Sequence, residues 1–116
     1  LHQLTVLILI RGLIPLLVHP FRQIEEFVWW KCATGGFSES DYAGVGFGLG
    51  FASKLDPVVN GFPATKGTFF WGGLASTLFW VDPAEELVVI FMTQLIPSRT
   101  FSFRGQLENI IYAALR

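Results

Sequence analysis

At 116 residues the chain suits one domain with a moderate core, and at 52% hydrophobic against 15% charged it is apolar for a soluble domain of that size. A net charge of −1 argues against a nucleic-acid reader, which needs a basic footprint, and the single cysteine, Cys32, excludes an internal disulfide. The apolar surplus implies surface meant to meet another segment, a partner or a membrane.

The first residues, Leu4 to Val18, form a strongly apolar run interrupted by Arg11, Gly12 and Pro15. A membrane-spanning helix needs about 20 apolar residues. A signal peptide carries its basic residue ahead of the apolar run rather than inside it, and Pro15 would kink or break a helix. A buried helix or an irregular apolar segment is therefore expected, in preference to a membrane segment. Phe21 to Gly36 is mixed, with Glu25, Glu26, Trp29, Trp30 and Lys31. Residues 1–41 read as an apolar N-terminal segment of open origin, set apart from residues 42–116. The chain begins at Leu1 rather than Met, which adds the expectation of a fragment or a processed product.

From Tyr42 onward the pattern turns to strands. Ala43 to Ala52 alternates glycine with larger apolar residues and reads as one strand with a nearly bare face. Lys54 to Lys66, holding Pro57, Asn60, Gly61 and Pro63, reads as a loop. Gly67–Gly73, Thr77–Val81 and Leu87–Thr93 read as strands, the last two joined by the turn Asp82-Pro83-Ala84-Glu85. Their short connections make neighbours antiparallel. Leu87 to Met92 lacks polar alternation, so both its faces need cover. Phe103, Leu107, Ile110, Ile111, Ala114 and Leu115 recur at helical spacing and supply one cover. The expected fold class is α+β: an antiparallel sheet of three to four strands with a C-terminal helix packed on one face.

Most residue clusters resolve to packing. Gly44, Gly46, Gly48 and Gly50 do not make Gly-x-Gly-x-x-Gly, because positions 49 and 51 are Leu49 and Phe51. His2 and His19 have no cysteine at zinc spacing, so no metal or cofactor is expected. Glu25-Glu26 and Glu85-Glu86 are adjacent and point apart, which suits solvated faces. Cys32 has no histidine near it in sequence and reads as an inert thiol.

Trp71-Gly72-Gly73 differs. Alone it is a strand end where glycine admits a turn. Together with the Gly-rich strand upstream, Trp80-Val81-Asp82-Pro83 and Glu86 to Gln94, it resembles the C-terminal part of the β-lactamase-related serine hydrolases: class C β-lactamases, penicillin-binding proteins and esterases. The resemblance covers residues 42–116. Penicillin-recognising enzymes place a Lys-Thr-Gly triplet on the strand lining the active site. The esterase-like relatives carry degenerate forms such as Trp-Gly-Gly. The resemblance implies a partial β-lactamase/transpeptidase-like fold. In it Leu74 would supply an oxyanion N–H and Trp71 would wall the acyl pocket beside Gly72 and Gly73.

The family's Ser-x-x-Lys nucleophile motif is absent: the residues three places before Lys31, Lys54 and Lys66 are Val28, Phe51 and Pro63. Tyr-x-Asn or Ser-x-Asn is also absent, since Val58 and Leu107 precede Asn60 and Asn109. No catalytic residue is therefore assigned. The parent enzyme would cleave a small ester, amide or β-lactam, and this chain alone would be inactive. The competing reading is a non-catalytic, membrane-associated or partner-binding remnant with the sheet as scaffold. Two partners are expected: the missing N-terminal part of the parent domain, or another copy of the chain. In the resembled fold Leu87–Thr93 pairs on its outer side with an N-terminal strand. Self-association is expected unless residues before Tyr42 fold back as a replacement.

Overall fold

The computed structural model describes residues 6–11, 30–31, 43–98 and 100–115. Seven strands form one sheet: β1 (Val6–Arg11), β2 (Trp30–Lys31), β3 (Val45–Gly48), β4 (Phe51–Lys54), β5 (Phe69–Gly72), β6 (Leu78–Asp82) and β7 (Leu87–Met92). A short helix α1 (Pro57–Asn60) links β4 to β5, and α2 (Phe103–Ala114) ends the described chain. The sheet order is β1-β7-β6-β5-β4-β3-β2, and every pairing is antiparallel. The α+β class holds, with a sheet wider than the expected three to four strands.

The difference arises at β1, at β2, which falls in the stretch read as mixed, and at the glycine-alternating stretch. Val6–Arg11 lies inside the run expected as a buried helix or irregular segment, yet it is a strand paired with β7 from Val6↔Met92 to Arg11↔Leu87. An unbroken aliphatic stretch lacks the period that separates strand from helix, and its β-branched residues suit a sheet. Residues before Tyr42 thus supply the replacement strand, and the β7 edge is closed. Among the described residues no helix is long and apolar enough to cross a membrane.

The glycine-alternating stretch is a hairpin rather than one strand. Leu49 and Gly50 both adopt left-handed backbone, φ 52° and 85°, the signature of a two-residue turn matched to strand twist. Leucine rarely occupies that region, which hides the turn from the sequence. The stretch read as a loop begins inside β4, where Lys54 is buried. It then carries α1, whose Asp56 cap accepts the Val58 and Val59 N–H groups at 3.0 and 3.2 Å.

The core lies between one sheet face and α2. Val45, Ala52, Phe70, Leu78, Trp80, Leu87, Val89 and Phe91 cluster with Ile111 and Tyr112, while Phe103, Leu107 and Leu115 pack at its margin. Ile110 and Ala114, expected on the same stripe, are exposed. Their neighbour Glu108 is buried instead, paired with Lys54 at 2.5 Å. Asp82 forms a second buried node. Its Oδ2 accepts from the Tyr112 hydroxyl at 2.6 Å and its Oδ1 from the Thr65 hydroxyl at 2.5 Å. Oδ1 also accepts the Ala84 and Glu85 N–H groups at 3.1 and 3.2 Å, fixing the expected turn. These two nodes bolt α2 to β4 and β6. They also fix which sheet face packs on α2: the one opposite Trp71.

Candidate functional site

Trp71 sits on β5 opposite Phe79 of β6, which sits opposite Ile90 of β7. Alternation along the strands puts this row on the face away from α2, because Phe70, Trp80 and Val89 belong to the helix-side core. Trp71 remains 42% exposed, its ring held edge-on by Phe47 at a centroid distance of 5.2 Å. A cavity of about 330 Å³ opens here, lined by Trp71, Gly72, Gly73, Thr77, Leu78, Phe79, Ile90 and Met92. The polar side-chain groups of that lining are the Thr77 hydroxyl and the Trp71 indole N–H, and no charged side chain belongs to it among the described residues.

The β5–β6 connection is tied by hydrogen bonds. Gly73 donates its N–H to the Thr77 carbonyl at 2.8 Å, and Ser76 donates to the Gly73 carbonyl at 3.1 Å. Ser76, at φ 62°, turns the chain back. Its hydroxyl donates to the Leu95 carbonyl at 2.7 Å, and Leu95 returns an N–H to the Ala75 carbonyl at 3.1 Å. The hairpin tip is thus tied to the segment after β7. A Cβ at Gly73 would collide with Thr77 Oγ1, so a side chain there would need that hydroxyl to move.

Of the four sequence-predicted site residues, Trp71, Gly72 and Gly73 line the cavity, and Leu74 does not. Leu74 sits at the turn beyond, 70% exposed, and its N–H donates to no acceptor among the described residues. β5 pairs with β6 along its whole length but with β4 only at Phe69 and Phe70. Among the described residues, the β4-side edge from Trp71 to Gly73 is therefore open. An open strand edge beside an apolar concavity can present an N–H to a developing oxyanion while the concavity holds a hydrocarbon group.

No Ser-x-x-Lys nucleophile completes the site. The Ser76 hydroxyl is committed to Leu95, and Ser53 is fully buried. Lys54, a possible base by type, is locked to Glu108 on the other side of the sheet, and burial pushes its pKa below the usual lysine range. Burial and the Asp82 hydrogen bond push the Tyr112 hydroxyl pKa well above its ordinary value. No three metal-ligating side chains converge among the described residues. His2, His19, Glu25, Glu26 and Cys32 lie outside them. Glu86 is exposed and Glu85 half-buried, as solvated positions require.

Sequence reasoning missed Lys54, Glu108, Asp82 and Tyr112. A glutamate spaced three residues before Ile111 on the apolar stripe was the available signal.

No known family and no curated protein matches the chain by sequence. Among solved structures it is similar to "EstCE1, a hydrolase with promiscuous acyltransferase activity", at 26% identity and a TM-score of 0.58. The likeness covers 67% of this chain and 21% of that one. It supports a relationship to hydrolases, and this chain spans about a fifth of the length of the enzyme it resembles.

Proposed function

We propose that the chain supplies the oxyanion side of an acyl-transfer site in a β-lactamase-related serine hydrolase of the esterase-like branch. The observation that carries this reading is the open β5 edge at Trp71–Gly73 beside an apolar cavity, on a chain similar to a hydrolase. In this reading Leu74 N–H, preorganised by the Gly73–Ser76 turn, stabilises the tetrahedral oxyanion. Trp71, Phe79, Ile90 and Met92 receive the apolar part of a small ester or amide. A serine on an accompanying segment attacks the carbonyl carbon and gives its proton to a neighbouring base. The carbonyl π electrons move to oxygen, then return to expel the alcohol or amine, which takes the proton from the base. Water, or an alcohol in acyl transfer, releases the acyl group. The partner is the nucleophile-bearing part of such an enzyme, because Ser-x-x-Lys does not occur in this sequence.

The test is a chimera. Residues 43–116 replace the corresponding fifth of the similar hydrolase, and acyl-enzyme formation with an activated ester is followed by mass spectrometry. A covalent adduct on the chimera's serine is expected. A folded chimera that forms none would favour the second reading, in which the sheet is a non-catalytic scaffold. The missing nucleophile motif is what favours that reading.

A further inference from the structure

We propose that the end of the sheet carrying the β5–β6 turn is the surface on which the nucleophile-bearing part of the enzyme docks, an inference that rests on the function proposed above. The strands run antiparallel, so the β3–β4 turn, the β5–β6 turn and the segment after β7 gather at one end. The hydrogen bonds of Leu95 with Ala75 and Ser76 hold the last two together. Large apolar side chains stand exposed at that end: Leu49 at 61%, Leu74 at 70%, Met92 at 48% and Ile96 at 66%. The described charged side chains lie elsewhere. Lys54, Asp56, Lys66, Asp82, Glu85 and Glu86 gather at the opposite end of the strands, and Arg104 and Glu108 belong to α2.

Permanent protein interfaces are apolar, and charged residues are depleted at their centres. An exposed apolar end without charge among its described side chains has that composition. Geometry then selects the occupant. An oxyanion held by Leu74 N–H lies about 2.9 Å from that nitrogen. The carbonyl carbon is one bond farther, and an attacking serine must stand roughly 3–3.5 Å from it. The backbone carrying that serine therefore passes over this end of the sheet. A lipid surface would meet the same apolar groups but brings no nucleophile. The similar hydrolase has room for such a partner, since this chain spans 21% of its length and about four-fifths of it lies outside the likeness.

The full chain is mixed with the similar hydrolase from which the matching fifth has been deleted, and association is followed by sedimentation. A one-to-one complex is expected, with slowed amide exchange around Leu49 and Leu74. Leu49→Lys and Ile96→Lys, neither in the cavity nor at the oxyanion, should each weaken it about tenfold or more. Val58→Lys, on α1 at the opposite end and 90% exposed, should leave it unchanged. No complex with a folded partner, or equal loss with all three substitutions, would overturn the proposal. So would binding to phosphatidylcholine vesicles with no protein complex. Where the deleted hydrolase does not fold, the chimera carries the test. There Leu49→Lys and Ile96→Lys should lower the urea midpoint and Val58→Lys should not, and equal midpoints would contradict the docking surface. A complex that forms but yields no acyl-enzyme would keep the docking surface and reject the oxyanion role. A chimera that acylates yet is indifferent to Leu49→Lys and Ile96→Lys would do the reverse.

Discussion

Lys54 and Glu108 should behave as a unit whose halves are far more costly to lose than the whole. The two charges sit 2.5 Å apart, each side chain about 1% exposed. Lys54→Met leaves an uncompensated buried carboxylate, and breaking a buried pair from one side costs about 3–5 kcal/mol. That is a large share of the roughly 5–15 kcal/mol that holds a typical domain together. Glu108→Leu strands the ammonium and should cost a similar amount. Lys54→Met with Glu108→Leu replaces both by hydrocarbon of similar volume and should be neutral or stabilising by about 1–4 kcal/mol. Urea unfolding of the four chains gives the coupling directly.

The pH dependence adds a sign. Burial lowers the folded pKa of Lys54 below 10.5, so between the two values the unfolded chain binds more protons. The cost of burying the ammonium is fully present below the folded pKa and is relieved as pH rises toward 10.5. The double variant should lose that rise. Tyr112 works oppositely: its raised pKa stabilises the fold below 10.0, and this is lost as pH climbs above that value. A double variant as unstable as either single one would refute the buried pairing and with it the placement of α2 on the sheet.

Three further outcomes follow from the same geometry. A serine-reactive phosphonate should leave the isolated chain unmodified by mass spectrometry, and a stoichiometric adduct on Ser53 or Ser76 would show a nucleophile that the geometry lacks. Gly73→Ala should destabilise by about 1–3 kcal/mol through collision with Thr77 Oγ1, and adding Thr77→Ala should recover much of the loss in thermal unfolding. Trp71→Ala should cost less than the ~3–5 kcal/mol of a fully buried aromatic, since the ring is 42% exposed. In the chimera it should shift preference among acyl groups, and unchanged preference in a folded protein would reduce Trp71 to packing against Phe47.

The strands β5, β6 and β7 and the helix α2 were legible because glycine and proline punctuate them and their apolar positions repeat cleanly. The Trp71-Gly72-Gly73 strand end was legible for the same reason; of the four residues the sequence singled out, these three line the cavity and Leu74 lies beyond it. What stayed hidden depends on distant partners. Nothing local announces that Lys54 is buried, because its stabilising charge lies on Glu108 in a helix far along the chain. The Leu49–Gly50 turn was masked by a leucine in a conformation it seldom adopts. β1 was masked by an aliphatic run whose strand character is decided by β7, its neighbour in the sheet. Met92 and Ile90 joined the site only through sheet register, which spacing along the chain does not reveal.

Leu74→Pro in the chimera tests the central claim most directly. Leu74 is the second residue of the Gly73–Ser76 turn, a position where proline fits, so the substitution removes one N–H and spares the turn. Loss of a single oxyanion donor should slow acyl-enzyme formation by about 10²–10³-fold, with the urea midpoint unchanged. Acylation at the parent rate in a folded Leu74→Pro chimera would contradict the account, because the backbone group it places at the oxyanion would then play no part in the chemistry.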